Sequence, residues 1–373
     1  MTSKEKVEQL LAKAGVTING AQPYDLQVHD ARLYDRVLSS GSLALGESYM
    51  DGWWDALDLA TFFHNVFTAH LERQVEPLSM LWTVAKASVF NLQNKDRSRQ
   101  VGMQHYDVGN DLYRRMLDSR LVYSCGYWSS PTTPAQNLDD AQEQKLDLVC
   151  RKLGIKAGQT ILDIGCGWGG FAKFAAERYG VKVVGITISK EQAMLAREAC
   201  HGLDVEIRFE DYRDTTGTFD HIVSIGMFEH VGPKNYRSFM QKVKSLLTDE
   251  GLFLLHTIGQ TKSYHAGDAW MDKYIFPGGV LPSVAQVGKS IDDLLVMEDW
   301  HNFGPDYHKT LMVWAHNFET YWPEMKDRYD ERFYRMWRYY LYICAGYFSA
   351  RQSQLWQIVL SKDGVPGGYR SIR

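Results

Sequence analysis

LDIGCGWGG, Leu162 to Gly170, decides the fold. Gly165, Gly167 and Gly170 satisfy the spacing GxGxxG. Gln159 to Gly165 reads as a strand entering the turn, and Gly169 to Tyr179 reads as a helix leaving it. A glycine turn in that position lets a ligand approach the backbone closely, because no Cβ intrudes. An isolated GxG more often serves tight packing of a strand on a helix; its place between strand and helix makes it a nucleotide-type signal. A dinucleotide fold also needs a carboxylate at the end of the second strand, about 20 residues on, for the adenosine ribose. Here that strand ends GITISKEQ, with no acid before Glu191. An acid stands instead within the first strand, at Asp163. A nicotinamide-dependent dehydrogenase is therefore disfavoured.

On either side of the turn, strand and helix alternate. Val181 to Thr187 reads as a second strand, followed by a helix from Lys190 and a strand at Val205 to Phe209. Then come the strand His221 to Ile225, a helix from Lys234 to Leu247, and the strand Gly251 to Ile258. LLVMEDW (Leu294 to Trp300), a long aromatic helix from about Glu331, and LWQIVLS (Leu355 to Ser361) supply late elements. Alternation of this kind implies an α/β fold with a parallel, doubly wound sheet.

Before residue 88 the text is different. Val7, Leu10, Leu11 and Ala14 recur at helical spacing among lysines, and apolar helical text continues through Trp82. Such a pattern fits a packed helix or an interfacial one. Residues 89–101, VFNLQNKDRSRQV, are polar and basic and read as a linker. The expected organisation is a small N-terminal domain over 1–88, a linker over 89–101 and a catalytic domain over 102–373.

Composition sets outer bounds. A net charge of −4 over 373 residues argues against nonspecific nucleic-acid binding by the whole protein. Aromatic residues make up 13%, which suits either dense core packing or a surface that meets lipid. No run approaches the roughly 20 apolar residues of a spanning helix. The first residues have no signal-peptide core, so an intracellular protein is expected. The five cysteines form no CxxC pair and no zinc spacing, and no metal is expected.

Polar residues collect where strands end. Glu229 follows the fourth strand in GMFEHVGPKNY, His256 lies late in the fifth, and Tyr307 follows the sixth. Tyr123, Ser124 and Cys125 lie in YSCGYW, before the first strand. Each alone has an ordinary structural explanation: a helix-start acid, a core histidine, a loop aromatic. Their joint placement at one edge of one sheet makes them a candidate site. Adjacent residues leaving a strand point apart, so Glu229 is expected to partner His256, with His230 structural.

The combination of Asp163 with the glycine turn resembles the cofactor motif of class I S-adenosylmethionine-dependent methyltransferases. The chain also closely resembles bacterial cyclopropane-fatty-acid synthases (cyclopropane-fatty-acyl-phospholipid synthases) and is similar to mycolic acid cyclopropane synthases. The matching text is GSLALGESYMDGWW, HYDVGNDLY (His105 to Tyr113), YSCGYW, LDIGCGWGG, GITISKEQ, DYRD, GMFEHVGPKNY, LLHTIG, KYIFPGG, MEDWHNFGPDY and ICAGYF, in order over nearly the whole chain. The resemblance implies a Rossmann-like, mostly parallel seven-stranded sheet with a smaller helical domain for lipid. It implies methylene transfer from S-adenosylmethionine to the cis double bond of phospholipid acyl chains, with a bound bicarbonate as base. The bicarbonate cradle carries over to Cys125, Glu229, His256, Ile258 and Tyr307, with Cys125 and Ile258 contributing backbone. Cofactor contacts carry over to Tyr123, Ser124, Asp163, Gly165, Gly167, Thr187, Gln192, Asp211 and Tyr212. Tyr123, Tyr127 and Trp128 are candidates for stabilising a cation through their ring faces. Cys344 matches a family cysteine near the site and is read here as a packing residue. The resemblance further implies a homodimer on the cytoplasmic face of the cell membrane.

Overall fold

The protein is described from a computed structural model, which covers residues 1–74 and 109–373. The expected linker 89–101, the end of the expected N-terminal domain and His105 to Val108 of HYDVGNDLY lie outside the described residues.

The central strands of the sheet form where the sequence is mostly apolar, whereas the outer strands VEIRF and VMEDWHN carry charged residues. The sheet's strands are β1 (Thr160–Ile164), β2 (Lys182–Thr187), β3 (Val205–Phe209), β4 (Phe219–Ile225), β5 (Leu247–Gln260), β6 (Val296–Asn302) and β7 (Ser353–Ser361). They lie in the order β3-β2-β1-β4-β5-β7-β6. Strands β1 to β5 pair in parallel, and β6 pairs antiparallel with β7. Strands buried on both faces read as runs rather than alternations, as TILDI and HIVSI do. Successive side chains still go to opposite faces. Leu162, Ile222, Phe253 and Leu255 pack with Phe239, Met240 and Val243 of helix α8 (Tyr236–Leu246). Ile161, Val183, Val223 and Leu254 pack with Leu146 and Val149 of helix α5 (Leu138–Leu153) and Phe171 of helix α6 (Gly170–Tyr179). The parallel strands therefore deliver their carboxyl ends to one edge, where an open α/β sheet binds its ligand.

Packing divides the described chain into two units. One contains the sheet and comprises 109–264, 279–306 and 354–373. The other comprises 1–74, 265–278 and 307–353. This division does not follow chain order, and the expected boundaries near 88 and 101 lie outside the described residues. The second unit is helical: α1 (Ser3–Lys13), α2 (Leu33–Met50), α3 (Leu59–Thr68), α9 (Ala269–Tyr274), most of α11 (Pro305–Met325) and α12 (Glu331–Ser349). Helices α2 and α3 pack against α12, α9 packs on α2, and α1 packs on α2. Tyr339 of α12 sits at the centre, with ring centroids 4.5 Å from Trp270, 5.1 Å from Phe63 and 5.6 Å from Tyr49. Arg335 caps this cluster, its guanidinium 4.1 Å from the Tyr49 ring centroid and bonded to Trp54 O and Asp55. Much of the aromatic excess is thus core packing, worth about 0.5–1.5 kcal/mol per ring pair beyond area burial. No helix among the described residues is long and apolar enough to cross a membrane.

Candidate active site

The glycine turn is built as its sequence demands. Gly165 has φ +83° and Gly167 φ +54°, in the left-handed region. A Cβ at Gly165 would meet Met227 Cβ at 2.8 Å, whereas one at Gly167 meets nothing within 4 Å. The backbone of Gly165 and Cys166 turns back to donate both N–H groups to Ile186 O. Beneath the turn, Asp163 is buried, and its Oδ2 has no hydrogen-bond partner among the described residues. Burial pushes this carboxyl up to about 7, opposed by the Lys145 ammonium. An orphaned acceptor below an open glycine turn fits a ligand that brings its own donors.

The end of β2 explains GITISKEQ. Ser189 caps helix α7 (Lys190–Ala199), its Oγ accepting from Gln192 N at 3.3 Å. Thr187 Oγ1 accepts from Ser189 N and donates to Gln192 Oε1 at 2.9 Å. Thr187 and Gln192 are therefore brought together, both buried. After β3, Asp211 is buried and tied to Arg213, whose backbone N–H and guanidinium each donate to it at 3.0 Å. The same guanidinium covers the Tyr212 ring at 4.9 Å. Arg213 was not anticipated; DYRD folds into a self-paired turn.

Tyr123, Ser124 and Cys125 are held from below by helix α5. Lys145 is fully buried and donates from Nζ to Ser124 Oγ at 2.9 Å. Gln142, one turn earlier, donates to Ser124 O at 2.7 Å and Val122 O at 3.3 Å. Burial lowers Lys145 to about 8, while Asp118, Cys125 and Asp163 pull it back up. The Tyr123 ring packs edge-on to Tyr113 at 5.2 Å. Cys125 is fully buried, its Sγ 3.1 Å from Gly126 O. Tyr127 packs against Phe303 and His301, and Asp306 accepts from the Trp128 and Ser129 N–H groups. Lys145, Gln142 and Asp306 escaped the sequence reading. A lysine and a glutamine three apart on a helix look like a solvated face, and only the packing of α5 onto the sheet buries them.

The ends of β4 and β5 form the centre of the constellation. Ile225 is in register with His256, and Gly226 N donates to His256 O at 2.9 Å. Glu229 lies in the short 3-10 turn Phe228–His230 that follows, and is buried. Its Oε1 accepts from Ile258 N at 2.7 Å, so the Ile258 amide is committed to Glu229. Its Oε2 is buried with no partner among the described residues. Burial pushes the Glu229 carboxyl up to about 7; the bonds from Ile258, its own backbone and Thr257 only partly offset this. His256 is 1% exposed, with Nδ1 at 3.3 Å from Gln357 Nε2 and with Nε2 unpartnered among the described residues. Burial holds its pKa well below the usual range, helped by the cations Lys145 and Lys152, so the imidazole is neutral. Gly259, next to Ile258, lets the Trp356 ring lie against the strand where a Cβ would collide. His230 donates its backbone N–H to Met227 O, a turn-forming role apart from Glu229.

The structure thus brings Glu229, Ile258 and His256 to adjoining strand ends. Tyr307 and Cys344 belong to the helical unit. Tyr307 lies in the first turn of α11, stacked on Phe348 at 4.4 Å. Cys344 lies in α12, half-buried, and desolvation by the atoms packed around it pushes its thiol up, which disfavours the thiolate at neutral pH. No cluster of three metal-ligating side chains occurs among the described residues.

A family model for mycolic acid cyclopropane synthetase matches residues 93–358. The cyclopropane-fatty-acyl-phospholipid synthase of Escherichia coli (strain K12) is 53% identical over 366 residues, covering 98% of this chain and 94% of that one. The cyclopropane synthase MmaA2 from Mycobacterium tuberculosis superposes with a TM-score of 0.66 at 30% identity, over 71% of this chain and 98% of its own. The mycolic acid cyclopropane synthase CmaA1, solved complexed with SAH and CTAB, matches with the same TM-score, identity and coverage. Coclaurine N-methyltransferase, at 20% identity and a TM-score of 0.66, shares the fold. The glycine turn over Asp163, the seven-stranded sheet and these relatives agree: the chain belongs to the cyclopropane synthase family of S-adenosylmethionine-dependent methyltransferases.

Proposed function

We propose that the protein transfers a methylene group from S-adenosylmethionine to the cis double bond of unsaturated acyl chains in membrane phospholipids. The alkene π electrons form a bond to the methyl carbon as its bond to sulfur breaks, and S-adenosylhomocysteine leaves. The resulting carbocation loses a proton from the added methyl group, and the ring closes. Bicarbonate, when bound, supplies the base for that proton. The observation that carries this reading is the pair of orphaned buried atoms, Glu229 Oε2 and His256 Nε2, at adjoining strand ends. A carboxyl with a pKa of about 7 and a neutral imidazole suit an oxygen-rich anion with one proton of its own. Ile258 keeps the Glu229 carboxyl in place through its N–H. Tyr307 and Cys125 join this cradle on the strength of the resemblance. Asp163, Thr187, Gln192, Asp211, Tyr212, Tyr123 and Ser124 hold the donor.

Residues 1–88, whose described part lies in the helical unit, are assigned the phospholipid as a small N-terminal lipid-binding domain. The lysines of α1 and the exposed Leu57 support contact with a membrane surface, and the resemblance adds the inner face of the cell membrane and a homodimer. Vesicles of unsaturated phospholipid, S-adenosylmethionine and the protein provide the test. The expected product gains the mass of one methylene and shows upfield cyclopropane proton resonances. A methyl-branched or hydroxylated chain without those resonances sinks the ring-closing reading, and no transfer at all sinks the lipid substrate.

A further inference from the structure

The residue across the sheet from His256 bears on the same site. Gln357 lies in β7, between β5 and β6, and is fully buried. Its side-chain Nε2 is 3.3 Å from His256 Nδ1. In register with Gln357 on the other side stands His301 of β6, whose Nδ1 lies 3.1 Å from Nζ of the buried Lys152. A neutral imidazole has one donor and one acceptor nitrogen, and the bond made by one nitrogen decides the role of the other. An N–H donated to Nδ1 makes that atom the acceptor. The ring proton must then sit on Nε2, the atom with no partner among the described residues.

We propose that Gln357 is a positioning residue for the transfer: by donating to His256 Nδ1 it keeps the imidazole proton on Nε2, where it can donate to a bound anion. The proposal rests on the anion-cradle reading above. An amide turned the other way would offer its oxygen to Nδ1 and draw the ring proton there. Nε2 would then present a bare lone pair, which repels an anion. Gln357 touches neither substrate nor donor in this account; it acts through His256. It sits in the LWQIVLS strand, where from sequence a glutamine between tryptophan and isoleucine reads only as a polar interruption.

A neutron structure of the deuterium-exchanged wild-type protein tests the bond directly. The expected map shows a deuteron on His256 Nε2, none on Nδ1, and a Gln357 amide deuteron directed at Nδ1. A deuteron on Nδ1 overturns the proposal. In turnover assays, Gln357→Leu is expected to lower kcat by about tenfold to a hundredfold, by analogy with the outer partners that orient metal-bound histidines. KM for S-adenosylmethionine should stay put while the half-saturating bicarbonate concentration rises. Binding of S-adenosylhomocysteine reports whether the variant folds, and Gln357→Met, closer in length, takes its place if Leu does not. Wild-type turnover in a folded variant also overturns the proposal. Wild-type activity that is indifferent to bicarbonate removal counts instead against the cradle reading, and the neutron map still decides the position of the ring proton.

Discussion

Glu229→Gln separates the charge of this residue from its shape. Glutamine keeps an oxygen to accept the Ile258 N–H, now 2.7 Å from Oε1, and replaces the orphaned Oε2 with an amide nitrogen. What is lost is the ability to ionise. The native carboxyl titrates at about 7 instead of 4.5 because it is buried. Between those values the folded protein holds a proton that the unfolded chain has released, so stability falls as pH rises through that window and levels off above it. At about 1.4 kcal/mol per pH unit the whole contribution is about 3 kcal/mol. The variant lacks it. Melting curves of both proteins from pH 4 to 8, in buffer without bicarbonate, should show the variant gaining on the wild type as pH rises. A difference that does not change with pH refutes the claim that burial governs this carboxyl. In turnover, removing one preorganised partner of the anion should lower kcat by about a hundredfold. The dissociation constant of S-adenosylmethionine should hardly change. If the variant loses donor affinity and keeps its turnover, Glu229 belongs to the cofactor site and the assignment is wrong.

Three further outcomes follow from the geometry. Gly165→Ala places a Cβ 2.8 Å from Met227 at φ +83°; calorimetry should show at least tenfold weaker S-adenosylhomocysteine binding and about 1–3 kcal/mol lower stability. Thr187→Val removes the bond to Gln192 Oε1 and should weaken donor binding by about 0.5–1.5 kcal/mol, raising KM for S-adenosylmethionine with kcat at saturation unchanged. Cys344→Ala should keep turnover within a few-fold of wild type, and a thiol-alkylating reagent should inactivate the native enzyme slowly, because burial keeps this thiol protonated.

The strands and the turn were legible because they rest on local chemistry. HIVSI and TILDI are short, β-branched, mostly apolar runs in an alternating strand–helix text, and Gly165 and Gly167 adopt backbone angles that other residues resist. Asp163 and Glu229 could be singled out because each stands where a parallel strand delivers its side chain to the ligand edge. Glu229 was expected to partner His256; it bonds instead the backbone N–H of Ile258, two residues further along the same strand, while His256 meets Gln357.

Other features depended on which distant segments meet. Lys145 and Gln142 look like surface residues until α5 lies on the sheet and buries them under Ser124. Gln357 is more than 100 positions from the histidine it orients. The helical unit draws in 265–278 and 307–353, a grouping that follows apolar faces and not chain order. By itself the sequence determined the central strands, the glycine turn and the family. Tertiary structure alone decided which polar atoms are desolvated and left without partners. A residue's type sets which hydrogen bonds it can make, but the loss of water that shifts Asp163 and Glu229 to about 7 comes from everything packed around them.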